Sequence, residues 1–253
     1  MTTNVVLSRR ALATVGVVLS LLLTGCIGAG GILSDESGAD GVDEAELRET
    51  IESTESYEVE ITRTLNSGGV NETATVNGIV DRSDQRAQLT STSETDVGSG
   101  PRISESEQYI IEDTQYTKSG DSWEQTTAPG TWNEVDRLEG ALETLEDAEF
   151  ERIRTETVDG TETTMFAANI SDDRENELAG ADSSQHVAVS VEDFVYYVLV
   201  DTETNTLYGT DLRMDVSQGG EPARVTIETT FTNHNDAGEI SLPEDVAEMS
   251  ETE

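Results

Sequence analysis

FVYYVLVDTETNTLYGTDLRMDV, residues 194–216, contains the strongest fold signal in this chain. The run from Phe194 to Val200 is apolar or aromatic throughout, which indicates a strand covered on both faces in a central position of a sheet. The polar run Asp201-Thr202-Glu203-Thr204-Asn205 is typical of a turn, and Leu207–Val216 continues as a second strand. The stretch therefore predicts a β-hairpin whose first strand is buried.

Further strand patterns lie before and after this hairpin. Tyr57, Val59 and Ile61 alternate with Glu58, Glu60 and Thr62, which is the period-two pattern of a half-buried strand. Consecutive hairpins of this kind are typical of an antiparallel meander. The other predicted strands cover residues 72–81, 86–93, 107–112, 115–118, 151–158, 163–170, 185–191 and 224–234.

Three segments have a helical pattern instead. Asp43 is a suitable cap for a short helix in which Leu47 and Ile51 lie four residues apart. Between Trp132 and Glu149, apolar residues recur every three or four positions, which predicts an amphipathic helix. Residues 172–178 form a third short candidate. We therefore expect an α+β fold.

The N-terminal end has the pattern of an export signal. Arg9 and Arg10 precede Ala11–Leu23, a mostly apolar stretch of 13 residues. A membrane-spanning helix needs about 20 apolar residues, so this stretch suits a signal peptide better. Leu23-Thr24-Gly25-Cys26 resembles a lipobox, which implies cleavage between Gly25 and Cys26 and a lipid on the Cys26 thiol.

This interpretation predicts a lipid-anchored protein on the extracytoplasmic face of the cell membrane. The twin arginines resemble a twin-arginine export signal, while a general secretory route and an uncleaved short anchor are the alternatives. The expected organisation is a signal peptide at 1–25, a lipidated cysteine with a Gly/Ser/Asp-rich flexible tether at 26–42, and a single domain at 43–253.

The charge balance is extremely acidic, with 53 acidic and 14 basic residues and a net charge of −39. Such self-repulsion weakens a compact fold at ordinary ionic strength, whereas molar salt shortens the Debye length to about 3 Å and screens it. We interpret the acidity as adaptation to brine; a surface for polyvalent cations is the alternative. The sequence contains no basic stripe that would contact phosphates, which excludes nucleic-acid binding.

The order of these elements resembles a known group of proteins. A lipobox and a helix precede S-Y-x-V-x-I at 56–61, followed by Tyr116–Trp123, a helix ending in L-E-x-L-x-D, VLVDTETNTLYG at 198–209 and LPEDV at 242–246. This order is similar to that of the LolA/LolB and LppX/LprG lipoprotein and lipid carriers, and of a halophilic archaeal family of surface lipoproteins. The resemblance implies a strongly curved antiparallel sheet, an open half-barrel, with helices packed on its concave side.

The resemblance also implies that acyl chains or glycolipids bind between the sheet and the helices. The large rings available to line that space, with core packing as the ordinary alternative, are Tyr57, Tyr109, Tyr116, Trp123, Phe166, Phe194, Tyr196 and Phe231. The helix at 132–149 would swing on Gly130 and Gly160. However, several strand faces alternate Thr, Ser and small residues, which indicates a narrow or filled interior, since ligand pockets are mostly apolar.

The sequence contains no set of residues that indicates catalysis. His186 and His234 are the only histidines, no G-x-S-x-G motif is present, and residues 201–205 lack the glycine and glutamate of a calcium loop. We expect no enzyme activity, cofactor or metal. Asn71 and Asn169 begin N-glycosylation sequons.

Two functions follow from these observations. The first is a surface protein that binds or carries an apolar, lipid-like ligand. The second is a non-enzymatic interaction module or accessory subunit of a membrane complex, with the same fold and a filled interior. The sequence does not identify a protein partner.

Overall fold

The computed structural model describes residues 42–98, 100–179, 189–218 and 220–250, and these residues contain one antiparallel sheet of 11 strands. The strands are β1 Ser56–Ser67, β2 Val70–Asp81, β3 Arg86–Asp96, β4 Pro101–Ile111, β5 Thr114–Ser119, β6 Ser122–Thr127, β7 Glu149–Val158, β8 Thr161–Asn169, β9 Val189–Asp201, β10 Thr206–Gln218 and β11 Glu221–Thr232. The helices are α1 Glu44–Ser53, α2 Thr131–Val135, α3 Arg137–Leu145, α4 Asp172–Leu178 and α5 Glu244–Ser250.

The sheet is curved and open. Its strand order is β6-β5-β4-β3-β2-β1-β11-β10-β9-β8-β7, so β6 and β7 are the two edges and do not pair with each other. The first and last strands of the chain meet in the middle, where β1 pairs with β11 from Glu58 opposite Thr232 to Ser67 opposite Ala223. Two meanders, β1 to β6 and β7 to β11, are joined by this central pair.

Short turns connect most strands, as the sequence predicts. Gly68 and Gly69 alone link β1 to β2, and both have positive φ angles, of 55° and 87°. Asp159 and Gly160 form the β7–β8 turn, and the polar run at 202–205 forms the β9–β10 turn. The hairpin prediction for residues 194–216 is therefore confirmed, and it holds because the turn residues tolerate the left-handed region.

The two faces of the sheet differ in what covers them. Cross-strand pairing places Tyr57, Val80, Ala87 and Ile110 in one row, on the face that we call the helix face. Their side chains form one buried cluster with apolar residues of α1, α2 and α3, such as Leu47, Trp132 and Leu142. The opposite face carries residues of the other parity, such as Glu58 and Glu60 of β1.

Helix α1 confirms the sequence prediction. The Asp43 carboxylate accepts hydrogen bonds from the amides of Ala45 and Glu46, both at 3.0 Å, and Leu47 and Ile51 are buried. Asn205 of the β9–β10 turn also bonds to this helix, through the Asp43 amide at 3.3 Å and the Glu46 carboxylate at 2.6 Å. The turn between β9 and β10 is therefore hydrogen-bonded to the first turn of α1.

The structure corrects two predicted elements. The helix expected over 132–149 is two short helices separated at Asp136, which caps α3 and accepts a hydrogen bond from the Glu139 amide at 3.3 Å. The strands expected at 185–191 and 194–201 are one strand, β9, which shifts register at Asp193 against β10; residues 185–188 lie outside the described part. The two errors are opposite: the apolar period of the helix hid a break at Asp136, whereas the polar residues Glu192 and Asp193 looked like the end of a strand that in fact continues.

Strand β9 lies in the interior of the sheet, two strands away from the edge, as its apolar run predicts. Val198, Leu199 and Val200 are buried on alternating faces. Helix α5, which was not predicted, packs on the opposite face of the sheet. Within the described residues, no helix is both long and apolar enough to span a bilayer.

Candidate functional site

The helix face carries five of the eight aromatic residues proposed as ligand-lining; Phe194 is half-buried there, and the other four are buried. Tyr57, Phe166, Tyr196 and Phe231 belong to the same buried cluster as the helices. Tyr57 and Phe231 pack edge to face, with ring centroids 5.6 Å apart. These rings are therefore core residues in this conformation, and a ligand would reach them only if the helices moved.

The remaining three candidates lie elsewhere. Tyr109 pairs with Gln88 and Tyr116, which places them on the opposite face, and Trp123 packs edge to face on Tyr109 at 5.4 Å. Together with the C-terminal segment, which contributes Ile240, Leu242, Val246 and Met249, they form a second apolar cluster. The predicted rings do not line a single space.

A buried polar network holds the helices against the sheet. The Arg82 side chain, in the β2–β3 turn, donates to the Asp136 carboxylate at 2.7 Å and the Glu139 carboxylate at 3.0 Å. It also donates to the backbone carbonyls of Ile51 and of Thr54, at the C-terminal end of α1. One guanidinium thus connects the end of α1 to the start of α3, using the fork of donors that arginine offers.

Tyr57 completes this network from the sheet. Its hydroxyl donates to the Asp136 carboxylate at 3.2 Å and accepts from the Arg137 amide at 2.9 Å. Burial, and secondly the charge of Asp136, raise the pKa of Tyr57, so the hydroxyl stays protonated. Burial likewise raises the pKa of Tyr196 to about 12.

Of the two glycines expected to act as hinges for the helix at 132–149, only Gly130 lies next to a helix. Gly130 precedes α2 with a φ angle of 88°, and its amide donates to the Asp113 carboxylate at 3.0 Å. Gly160, however, lies at the tip of the β7–β8 hairpin, after the whole of β7. A swing of the helix on both glycines is therefore not compatible with the fold.

An apolar band that includes Tyr196 continues along the helix face. Leu65, Val225, Met214 and Phe194 lie side by side on β1, β11, β10 and β9. The neighbouring row contains Ile227, Leu212 and Tyr196. We call these seven residues the apolar band; Leu65, Phe194 and Ile227 are partly exposed, and the other four are buried.

The opposite face has a polar depression instead. An open cavity of about 630 Å³ is lined by residues of β1, β2, β3 and β11, among them Glu58, Glu60, Asn77 and Thr230, and by Asp159. Although Val59 and Ile79 also contribute, most of its lining residues carry carboxylates, amides or hydroxyls, which does not suit an apolar ligand. No group of three or more metal-ligating side chains is present among the described residues.

The structure places the remaining sequence candidates as follows. Asn71 and Asn169 are exposed, at the start of β2 and the end of β8. The His234 ring contacts Tyr208 and lies 3.0 Å from the Leu207 carbonyl, and burial lowers its pKa. Gly25, Cys26 and His186 lie outside the described residues, so cleavage and lipidation stay predictions.

Comparison with known proteins gives distant structural similarities. The chain is similar to Mycobacterium tuberculosis lipoprotein LppX, at 15% identity over 78% of this chain and 97% of that one, with a TM-score of 0.46. LprF from Mycobacterium bovis gives 14% identity, 80% and 96% coverage and a TM-score of 0.47.

A putative outer membrane lipoprotein-sorting protein domain from Vibrio parahaemolyticus gives 9% identity, 83% and 97% coverage and a TM-score of 0.26. No protein-family model and no curated protein sequence matches the chain.

Sequence reasoning missed Arg82 and Asp136. Both occur in polar stretches that look like ordinary turns, in a chain where acidic residues are abundant. The low number of basic residues was one available signal. Because the chain has few arginines and many carboxylates, an arginine in a tight turn is a better candidate for a structural ion pair than any single acidic residue. The C-terminal apolar residues from Ile240 to Met249 were also available as a possible packing segment.

Proposed function

We propose that this protein binds or carries an apolar ligand at the extracytoplasmic surface of a membrane, to which a lipid on Cys26 tethers it. The ligand occupies the helix face of the open sheet, which we take to be the concave face. The apolar band supports this proposal more than any other observation. Three of its large side chains keep partial exposure, although burying apolar surface contributes about 25 cal/mol per Å².

The ligand we infer is an acyl or isoprenoid chain. The band is built from aliphatic and aromatic side chains on four adjacent strands and offers few hydrogen-bond donors or acceptors to a ligand. A flexible apolar chain gains binding free energy in proportion to the apolar area that it buries on such a surface. A polar ligand would lose its hydration there without gaining hydrogen bonds in return. The acid-rich exterior keeps the protein soluble in brine, and the apolar band ends at the Arg63–Glu72 ion pair on β1 and β2.

The test is lipid capture by residues 27–253, expressed and purified in molar KCl. Organic extraction followed by mass spectrometry should find co-purifying lipid, and a lipophilic dye should bind with increased fluorescence. Leu65→Gln and Ile227→Gln should each weaken dye binding about tenfold. Thr64→Gln, on the opposite face of β1, is the matched control and should leave it unchanged. A clean extract together with no dye uptake would contradict the proposal.

Tethering is tested separately in cells. With Cys26→Ser, the protein should keep its signal peptide and lose its thioether-linked lipid, because the lipobox lacks its nucleophile. Mass spectrometry of the membrane-bound and released fractions measures both. An equally processed and equally membrane-bound Cys26→Ser variant would exclude the anchor.

The second function, an interaction module with a filled interior, is favoured by a different observation. Tyr57, Phe166 and Phe231 are fully buried, and the Arg82 network fixes the helices over them. In this case the polar opposite face would be the working surface. Absence of lipid, combined with a stable complex in crosslinking of intact cells, would favour this alternative.

A further inference from the structure

The open cavity on the opposite face of the sheet has a regular floor. Two neighbouring rows of side chains form this floor, and each row crosses β3, β2, β1 and β11. The first row is Thr90, Asn77, Glu60 and Thr230. The second row, two residues away along each strand, has Ile79 and Glu58 at its centre. From the spacing of strands and of alternate residues, the floor measures about 14 Å by about 7 Å.

Two segments from outside these four strands border the cavity. Asp159, in the β7–β8 turn, contributes a carboxylate from a hairpin at one edge of the sheet. The segment after β11 contributes Asn233, and the Gly238 amide of the same segment donates to the Glu58 carboxylate at 3.4 Å. A Cβ atom at Gly238 would lie 3.1 Å from the Ile79 side chain, so this segment packs on the second row. The cavity of about 630 Å³ has room for a ligand the size of a disaccharide.

The polar side chains of the lining keep most of their hydrogen-bonding groups available. Only Glu58 and Thr90 among them bond to another residue in the described part of the chain, Glu58 to the Gly238 amide and Thr90 to a backbone carbonyl. Carboxylates farther along the same face differ, because Asp211 and Asp215 each form an ion pair with an arginine. The cavity therefore presents carboxylates, amides and hydroxyls that have no protein partner among the described residues.

This lining selects a chemical class of ligand. No basic side chain of the described residues lines the cavity, and Glu58, Glu60 and Asp159 repel an anion. An ammonium ligand uses acceptors alone and leaves the amide and hydroxyl donors of the lining without partners. Sugar hydroxyls donate and accept, so they pair with carboxylates, amides and threonine hydroxyls together. Ile79 offers a small apolar surface to the C–H groups of a sugar ring.

We propose that this cavity binds a neutral saccharide, with Glu60 and Asn77, at the centre of the first row, bonding to its hydroxyls. This inference goes beyond the proposed function, because the cavity and the apolar band lie on opposite faces and take different ligands. Molar salt screens the attraction of a cation but does not screen a neutral ligand. We expect a dissociation constant of about 1 mM, because each hydrogen bond to the sugar replaces one to water.

The test is saturation-transfer NMR on residues 27–253 in molar KCl, with maltose, lactose and methyl α-mannoside as probes. At least one of these sugars should receive saturation from the protein. Thr230→Val should weaken its binding about three- to tenfold, because the change removes a hydrogen-bonding group and keeps the shape. Thr226→Val, on the same face of β11 and outside the cavity, is the matched control and should leave binding unchanged. Asn77 is exposed, so Asn77→Ala is the deciding variant if Thr230→Val does not fold, and it should weaken binding to a similar extent.

Three results would overturn the saccharide site. Displacement of the sugar by millimolar spermidine would show a site for cations. An equal loss of binding in Thr226→Val and Thr230→Val would place the sugar outside the cavity. No saturation of any of the three sugars would also contradict the inference and would leave the proposed function intact. Conversely, Leu65→Gln and Ile227→Gln, in the apolar band, should weaken dye binding and leave sugar binding unchanged, so the two sites are tested independently.

Discussion

Arg82 has a larger structural role than any other charged residue in the described part of the chain. Its side chain is 13% exposed and that of Asp136 6%, so the pair is almost fully withdrawn from water. The same guanidinium bonds to the Ile51 carbonyl, which also accepts from the Thr54 amide, and to the carbonyl of Thr54, the C-cap residue of α1. The stability of both helices on the sheet therefore depends on one side chain in a turn.

We expect Arg82→Ala to lower the free energy of unfolding by about 3–5 kcal/mol, because it leaves the buried Asp136 carboxylate unpaired. Chemical denaturation in molar KCl measures this. Arg48→Ala removes a 4.0 Å ion pair that is exposed on α1, and should change stability by less than about 0.5 kcal/mol. Adding Asp136→Asn to Arg82→Ala should recover part of the loss; no recovery would show that the unpaired charge is not the cause.

Two glycines provide a pair of opposite predictions. Gly140 lies within α3, and a Cβ atom there would have no neighbour within 4 Å. A Cβ at Gly209, beside the register shift of β10, would lie 2.7 Å from the Thr229 carbonyl oxygen. Gly140→Ala should raise the free energy of unfolding by about 0.5–1 kcal/mol, and Gly209→Ala should lower it by about 1–3 kcal/mol. Changes of the same sign in both variants would contradict this packing.

The C-terminal segment acts as a cover for the short strands at one edge of the sheet. β5 and β6 have six residues each, too few to form a stable pair without a packed face. Val246 of α5 is fully buried against the cluster of Tyr109 and Tyr116. This edge therefore depends on a segment that follows the last strand.

We expect Val246→Asp to release α5, because an unpaired carboxylate cannot remain in an apolar cluster. In a Trp132→Phe background, Trp123 is the one remaining tryptophan, and its emission should shift to the red while the far-ultraviolet circular dichroism of the sheet is largely kept. Val97→Asp, at a position that is 44% exposed, should leave the emission unchanged. An unshifted spectrum in Val246→Asp would show that α5 does not cover this edge.

Net charge governs the behaviour of the whole molecule. With a net charge of −39, repulsion between carboxylates opposes the compact state. Added salt shortens the Debye length and so screens this repulsion. The midpoint of thermal unfolding should therefore rise steeply from about 0.1 M to 2 M KCl. Salt also strengthens apolar burial, so the steepness alone does not isolate the charge effect.

A charge-reduced variant separates these contributions. Five exposed acids whose side chains make no hydrogen bond or ion pair in the described structure are replaced by their amides: Glu49, Asp84, Glu105, Asp121 and Glu203. The midpoint in 0.1 M KCl should rise and its dependence on salt should become shallower. An identical salt dependence in both proteins would mean that the acidity does not oppose folding.

Local pattern predicted most of the strands, the α1 helix with its Asp43 cap, and the burial of residues 198–200 in β9, whereas Phe194, Val195 and Tyr197 are only half-buried. These features are readable because alternation, capping and turn chemistry involve neighbours in the chain. The predicted N-terminal export and lipid signal likewise rests on one short segment.

Local sequence patterns could not predict which residues share a face of the sheet or which distant elements contact each other. Whether Tyr57 and Tyr109 share a face depends on the register of three successive strand pairs, and a shift of one residue in any of them reverses the answer. The break at Asp136 and the arrangement around Arg137 exist because Arg82 and Tyr57, more than 50 residues earlier, meet the start of α3. Local sequence patterns therefore predicted most of the elements, while long-range pairing determined which side chains share the helix face.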